Sequence, residues 1–250
     1  MKVIALYNIK GGVGKTAACV NLAYNCAVSG IKTLLWDLDS QGAASYYFNV
    51  EPKVKGGTKK LFKTKEIDEL VKETGIEYLD LLPADFSYRH MDLFLDSEKK
   101  PKKRMSEFLS RFEDDYDVVF LDCPPSFSLV SENVFNTSDV MLVPLIPTTL
   151  SLRTYDQILE YVSEHKKLAL KIMPFFSMVD KRKKLHLETL STGQTDIKGL
   201  LRTSIPYLSI VEYMGVRRAP VGAFAPKSNA TALFGALWTE VVLRAKLSSR

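Results

Sequence analysis

The chain is poor in the features that mark disulfide-stabilised, metal-rich and membrane-spanning proteins. It has only 3 cysteines in 250 residues, and Cys19, Cys26 and Cys123 form neither a CxxC pair nor a metal-ligand spacing. No apolar run approaches the roughly 18 to 20 residues that span a bilayer, and residues 2–7 are too few for the core of a signal peptide. We therefore expect a cytoplasmic protein whose cysteines are small, buried hydrophobic side chains.

Internal repeats and linkers long enough to separate domains are also absent, so residues 1–250 are expected to form one domain. Hydrophobic residues make up 46% of the chain and charged residues 25%, as in an ordinary globular protein. The formal net charge of +5 is mildly basic. Such a charge permits an anionic partner without requiring one.

Apolar runs alternate with segments of helical length, which predicts an α/β fold with a mostly parallel, twisted sheet and helices on both faces. The runs are consecutive Val, Ile, Leu and Phe residues, typical of strands that are buried on both faces. The predicted strands are residues 3–8, 33–37, 78–82, 118–122, 140–145 and 172–179. The predicted helices are residues 15–29, 66–74, 103–114, 151–168, 181–190 and 229–246.

Two basic segments interrupt this pattern. Residues 51–65 contain six lysines and a Gly-Gly pair, and residues 98–104 are a shorter basic run. Both are interpreted as solvated surface, the first as a loop. Contact with a polyanion is the alternative for each.

Residues 10–16 read Lys-Gly-Gly-Val-Gly-Lys-Thr and connect the first predicted strand to the first predicted helix. This order of strand, loop and helix is the context that supports a phosphate-binding P-loop. Its glycines let backbone N–H groups point at phosphate oxygens, and the helix presents its positive end to the same anion. Lys15 is expected to reach the β- and γ-phosphates, and the hydroxyl of Thr16 to bind Mg²⁺. The predicted nucleotide contacts in this segment are Lys10, Gly11, Gly12, Val13, Gly14, Lys15, Thr16 and Ala17.

Ile9 and Lys10 distinguish the loop from the common pattern G-x-x-x-x-G-K-[ST], whose first glycine would stand at position 9. The sequence KGGVGKT resembles the deviant P-loop of the ParA/MinD family of ATPases. The resemblance implies a P-loop NTPase fold, ATP and Mg²⁺ as cofactors, and a nucleotide-sandwich homodimer when ATP is bound. It also implies that Lys10 reaches the phosphates held by the partner subunit, as an arginine finger does, and acts with Lys15 in catalysis.

Asp37 ends the second predicted strand and Asp39 follows two residues later, so that both carboxylates point past the carboxyl edge of the sheet. Taken alone, this segment is also typical of an exposed turn with capping carboxylates. It resembles the family segment D-x-D-P-Q-G-N-A-T, with Ser40, Ala43 and Ser45 at three changed positions. The resemblance implies that Asp39 orients or activates the attacking water and that Asp37 supports the Mg²⁺ shell.

Asp122 ends another apolar strand and is followed by Cys123 and two prolines. A buried strand with a capping aspartate is the generic interpretation. The letters Leu-Asp-Cys-Pro-Pro match the family's Walker B segment, which implies that Asp122 holds Mg²⁺ through its water. The predicted metal site therefore combines Thr16, Asp37 and Asp122.

Later segments extend the resemblance. Residues 143–148, with Leu152 and Tyr155, are similar to the strand and loop that face the dimer partner. Residues 178–182 resemble the family's base-binding segment, which implies nucleotide contacts from Arg182 and Pro206, with Glu212 near them.

The resemblance is closest to the short ParA branch, because the chain begins at its first strand and is expected to lack an N-terminal helix-turn-helix domain. Members of that branch bind DNA non-specifically as ATP-bound dimers and are released when a ParB-like or adaptor protein stimulates hydrolysis. A nucleoid-associated protein for plasmid or chromosome partition, or for cargo positioning, is therefore expected. The predicted DNA contacts are Lys181, Lys183, Lys184, Arg217, Arg218 and Lys227.

Two alternatives remain open. A MinD-like protein would bind membrane through an amphipathic C-terminal helix, but the last predicted helix has few basic residues, which favours packing on the sheet instead. A binding module gated by ATP, with negligible turnover, is the second alternative. Lys10, Asp39 and Asp122 are all present and favour hydrolysis.

Overall fold

The computed structural model describes residues 1–64, 66–165 and 168–247. These residues form a seven-stranded sheet with the order β3-β4-β2-β5-β1-β6-β7. All neighbouring strands are parallel except β3, which lies antiparallel to β4 at one edge. The strands are β1 (Lys2–Leu6), β2 (Thr33–Asp37), β3 (Lys72–Ile76), β4 (Leu79–Leu82), β5 (Val118–Asp122), β6 (Val140–Leu145) and β7 (Lys171–Phe176).

Helices cover both faces of the sheet. Side chains of a strand alternate between its two faces, and in β1 Val3 and Ala5 join one hydrophobic cluster while Ile4 and Leu6 join another. The helices are α1 (Lys15–Val28), α2 (Ala43–Tyr47), α3 (Gly57–Lys63), α4 (Met91–Asp96), α5 (Arg104–Leu109), α6 (Leu129–Thr137), α7 (Thr149–Glu164), α8 (Lys184–Asp196), α9 (Ser209–Arg217), α10 (Val221–Phe224) and α11 (Asn229–Ala245). The α/β class with a mostly parallel sheet is therefore confirmed.

The predicted helix at residues 66–74 is wrong. Its last three residues belong to the edge strand β3, and Gly75 and Tyr78, both with positive φ, reverse the chain into β4. The hydroxyl of Thr74 donates to the carbonyl of Leu79 at 2.6 Å, which holds the two strands together. This contact across the turn outweighs the weak helical pattern of the segment.

The predicted loop at residues 51–65 is also wrong in part, because it contains α3. Thr58, Leu61 and Phe62 are buried at helical spacing, while Lys59 and Lys63 are exposed on the other side. An amphipathic helix therefore anchors the lysine-rich segment on the core. Lys65 lies outside the described residues.

The last helix, α11, packs on the sheet, as the sequence predicted. Ser228 caps its first turn by accepting a hydrogen bond from the N–H of Thr231 at 3.2 Å. Leu237 and Val241 are buried, and Trp238 contacts Phe120 of β5 with ring centroids 5.8 Å apart. Among the described residues, the helices are too short or too polar to span a membrane.

The three cysteines are buried, which confirms that they pack as small hydrophobic side chains. Burial raises the pKa of the Cys26 thiol to about 12 and that of Cys19 well above its usual value. All three thiols are therefore protonated near neutral pH.

Candidate nucleotide-binding site

The glycine-rich loop joins the end of β1 to the start of α1. Gly12 and Gly14 have φ of 69° and 86°, in the left-handed region that favours glycine. A Cβ at Gly14 would lie 2.9 Å from Oγ of Ser177, which follows β7. The loop can therefore wrap tightly at Gly14 only because this residue has no side chain.

Asn8 fixes the start of the loop. Its side-chain amide donates to the carbonyl of Pro144 at 2.8 Å, and its Oδ1 accepts from the N–H of Lys10 at 2.9 Å. The preceding residue, Tyr7, donates its hydroxyl to the carbonyl of Ser126 at 2.9 Å. These bonds connect the start of the loop to β6 and to the segment that follows β5. Asn8 lies at the end of the predicted strand 3–8, and its role in fixing the loop was not predicted, although a polar residue ends that apolar run.

Lys15 lies at the first position of α1 with its side chain turned back across the loop. Its Nζ donates to the carbonyl of Lys10 at 3.0 Å. Burial lowers the pKa of Lys15, whereas the negative charge of Asp122 opposes that shift. The Lys10 side chain, by contrast, forms neither a hydrogen bond nor an ion pair within the part of the chain that the structure describes.

Asp37 and Asp122 end neighbouring strands and bring two carboxylates to the loop. Both residues are fully buried. Among the described residues, neither oxygen of Asp122 has a hydrogen-bond partner of normal geometry. Burial raises the pKa of Asp122, and the charge of Asp37 raises it further, while Thr16 and Lys15 only partly favour the ionised form.

This arrangement fits Mg²⁺. The cation takes oxygen ligands and keeps several waters, and the two unpartnered oxygens of Asp122 lie beside the hydroxyl-bearing Thr16. A divalent cation would also offset the charge of the buried Asp37 and Asp122 carboxylates.

Asp37 already has protein partners. Its Oδ2 accepts hydrogen bonds from the backbone N–H and the hydroxyl of Ser45, both at 2.8 Å. The Ser45 hydroxyl oxygen in turn accepts from the N–H of Ala84 at 2.9 Å. Asp37 therefore anchors α2 beside the site, a role that the sequence analysis did not foresee.

Asp39 lies in the loop between β2 and α2 and is half-buried. Its N–H donates to Oδ1 of Asp37 at 3.3 Å, and its own Oδ1 accepts from the N–H of Gln41 at 3.0 Å. The structure thus brings Lys15, Thr16, Asp37, Asp39 and Asp122 together at the carboxyl edge of the sheet, as predicted.

A cavity of about 250 Å³ opens on the other side of the glycine loop. Pro206, a predicted nucleotide contact, and Glu212 line it, whereas Arg182 does not. The guanidinium of Arg182 instead forms two hydrogen bonds of 2.9 Å with the carboxylate of Asp180. Its predicted nucleotide contact therefore stays a prediction without geometric support. Lining residues that the sequence analysis missed are Tyr47, Val211 and Phe234.

The six predicted DNA contacts are all exposed. Lys184 forms an ion pair with Glu188 at 3.6 Å. Arg218 lies over the ring of Tyr46, with its guanidinium carbon 4.3 Å from the ring centroid, and donates to Asn49.

Comparison with known proteins agrees with this geometry. A family model described as an AAA domain (AAA_31) matches residues 1–173. The chain is 27% identical over 250 residues to the sporulation initiation inhibitor protein Soj of Bacillus subtilis, covering 96% of this chain and 98% of Soj. It is 30% identical over 200 residues to the chromosome-partitioning ATPase Soj of Treponema pallidum, covering 78% of each chain.

Among solved structures, the fold is similar to cobyrinic acid a,c-diamide synthase from Mycobacterium smegmatis with a bound ATP analogue and magnesium. The TM-score is 0.82 at 24% identity, covering 100% of this chain and 97% of the synthase. The sheet and the loop between β1 and α1 thus define a P-loop NTPase. Within that class, the chain belongs to the ParA/MinD family and is Soj-like.

Proposed function

We propose that this protein is a ParA-like ATPase whose ATP-bound dimer binds DNA non-specifically and is released by partner-stimulated hydrolysis. The observation that carries the catalytic part is the buried, unpartnered carboxylate of Asp122 beside Lys15 and the glycine loop. Burying a charge without a compensating partner destabilises a protein. A carboxylate with no functional role would therefore not be expected in this position.

Each residue has a role in that reaction. Backbone N–H groups of the glycine loop hold the phosphates, and Lys15 exchanges the carbonyl of Lys10 for phosphate oxygens. Thr16 and Asp122 would hold Mg²⁺, which would neutralise phosphate charge. Asp39 orients the attacking water, while Asp37 supports the cation site and keeps α2 in place through Ser45.

Two features support the dimer. Lys10 has no side-chain partner within the described part of its own chain, so its ammonium is available to phosphates held by a second subunit. Leu150, at the start of α7, is 65% exposed and lies just after residues 143–148, which resemble the family's dimer-facing strand and loop. An apolar side chain in that position gains free energy when a second subunit covers it.

The name of the Treponema relative, a chromosome-partitioning ATPase, supports DNA as the surface on which the dimer acts. The exposed cations Lys181, Lys183, Arg217 and Lys227 supply the positive charge for phosphate contacts. We propose nucleoid association in the ATP state and a ParB-like or adaptor protein as the stimulating partner.

Paired binding assays test this function. The protein is incubated with a DNA duplex of arbitrary sequence and, separately, with anionic liposomes, each with ATP and Mg²⁺ or with ADP and Mg²⁺. Binding to DNA with ATP, and little with ADP, is expected. Binding to liposomes with none to DNA would assign the protein to the membrane branch, and ATP binding without turnover would leave only a binding module.

A further inference from the structure

One residue that lines the 250 Å³ cavity has a left-handed backbone conformation although it is not glycine. Met178 has a φ of 53°, which is uncommon for a long side chain and costs roughly 1–2 kcal/mol. It lines the cavity together with Gly12 and Gly14 of the glycine loop. Surrounding contacts must hold this conformation in place.

Backbone hydrogen bonds hold the chain directly after Met178. The N–H of Val179 donates to the carbonyl of Ile205 at 3.1 Å, and the N–H of Tyr207 donates to the carbonyl of Val179 at 3.0 Å. These bonds pair Val179 with Pro206 in a parallel β-bridge. The bridge joins the segment that contains Met178 to the segment that contains Pro206, and both of these residues line the cavity.

The backbone N–H of Asp180, the residue after Val179, is held by a side chain. The N–H of Asp180 donates to Nδ1 of His186 at 3.0 Å, and His186 is only 3% exposed. Because Nδ1 accepts, the proton of the neutral ring lies on Nε2. Burial and the charge of Lys183 lower the pKa of His186, which keeps the accepting form populated near neutral pH.

We propose that His186 is a positioning residue for the nucleotide base: its hydrogen bond to Asp180 holds Met178 in the left-handed conformation and thereby shapes the cavity beside the glycine loop. This role rests on the proposed ATP site. The contacts that fix the phosphate loop, Asn8 with Pro144 and Lys15 with Lys10, do not include His186. Its influence therefore falls on the base and spares the phosphates.

Two substitutions of similar size test the role. His186→Asn keeps an acceptor oxygen at about the reach of Nδ1, whereas His186→Leu fills the same space without an acceptor. Binding of ATP and of inorganic tripolyphosphate, which lacks the base, is measured by calorimetry for each. H186L is expected to weaken ATP binding roughly three- to tenfold, the effect of one lost hydrogen bond. H186N should stay close to the wild type, and tripolyphosphate affinity should not change in either variant.

A double substitution gives an independent readout. Asn tolerates the left-handed conformation better than Met does, so H186L should cost less ATP affinity in a Met178→Asn background than in the wild type. Equal costs in the two backgrounds would overturn the coupling between His186 and Met178.

Hydrogen exchange of the wild type covers the case in which H186L does not fold. The amide of Asp180 should be protected in the free protein, and ATP should slow its exchange more than tripolyphosphate does. An unprotected Asp180 amide, an unchanged ATP affinity in H186L, or an equal loss for both ligands would overturn the proposal. A wild type that binds neither ATP nor tripolyphosphate would instead refute the proposed nucleotide site itself.

Discussion

Asp37 and Asp122 are register partners at the ends of the adjacent parallel strands β2 and β5, and both are fully buried. The N–H of Leu38 donates to the carbonyl of Asp122 at 3.0 Å, so the pairing continues past the last residues of the strands. Burial raises the pKa of each carboxyl, and each is a like-charged neighbour of the other. The two carboxylates therefore destabilise the folded protein when both are ionised, and a bound cation would offset their repulsion.

This repulsion predicts that Asp122→Asn stabilises the ligand-free protein at neutral pH while abolishing Mg²⁺-dependent hydrolysis. The midpoint of thermal unfolding should rise by about 2–4 °C for each kcal/mol of relieved repulsion. Calorimetric melting without nucleotide measures the first effect, and phosphate release measures the second. A variant that melts lower than the wild type at pH 7.5 would contradict the repulsion.

The difference in stability between D122N and the wild type should depend on pH, because the pKa of Asp122 is raised. Because the pKa of Asp122 is higher in the folded than in the unfolded protein, its protonated carboxyl contributes fully to stability at pH values below the unfolded pKa of about 3.9. The contribution is lost as the pH rises through the folded value. The stability advantage of D122N should therefore be small near pH 4 and grow toward pH 7. An advantage that shrinks over this range would show that the sign is wrong.

The two lysines of the loop predict different defects. Lys15→Ala should abolish nucleotide binding, because its buried ammonium lies over the phosphate loop. Lys10→Ala should still bind ATP, because only the backbone carbonyl of Lys10 contacts Lys15. Its turnover should fall by at least about tenfold, compared with roughly 10³–10⁵ for arginine fingers.

Mixing K10A with Asp39→Ala tests whether Lys10 acts across the dimer. In a mixed dimer, the site of the K10A chain keeps its own Asp39 and receives Lys10 from the other chain. Phosphate release by the mixture should exceed that of either variant alone. No gain on mixing would place the action of Lys10 within its own subunit.

Gly14→Ala should destabilise the fold, whereas Gly11→Ala should not. An added Cβ at Gly14 meets Oγ of Ser177 at 2.9 Å and imposes left-handed strain of roughly 1–2 kcal/mol. A Cβ added at Gly11 would have no neighbouring atom within 4 Å in the part of the chain that the structure describes. Chemical denaturation of both variants without ligand makes the comparison, and equal stabilities would contradict the tight turn at Gly14.

The salt dependence of DNA binding distinguishes the predicted contacts from the lysine-rich segment. Replacing Lys183, Arg217 and Lys227 by alanine removes six positive charges from a dimer, so the slope of log affinity against log salt should fall by up to about 5, near 0.9 for each lost phosphate contact. The control replaces Lys53, Lys55 and Lys59, three exposed lysines of residues 51–65, and should keep the slope. The opposite result would move the DNA contact to the lysine-rich segment.

The sequence predicts those residues of the site that belong to short contiguous motifs. Lys15, Thr16 and Asp122 belong to contiguous motifs, and the structure brings them together. Asn8 and His186 could not be predicted in the same way, because their roles depend on partners chosen by the fold. Asn8 bonds to Pro144, which is 136 residues away, and His186 matters through the conformation of Met178.

The strands of the fold likewise differ in how well the sequence predicts them. Strands β2, β5 and β6 are continuous apolar runs, and their predicted bounds are those of the structure. The edge strand β3 is largely exposed and has no such run. Its pairing with β4 depends on the turn at Gly75 and Tyr78, so a pattern of apolar residues could not reveal it.

The central claim is that ATP closes two chains around a shared site, and the solution mass of D39A tests it most directly. Light scattering should give twice the 28.1 kDa of one chain with ATP and Mg²⁺, because the variant binds ATP but does not hydrolyse it. The same sample with ADP should give a single chain. A mass that stays at one chain with saturating ATP, or that is doubled equally by ADP, would contradict the account.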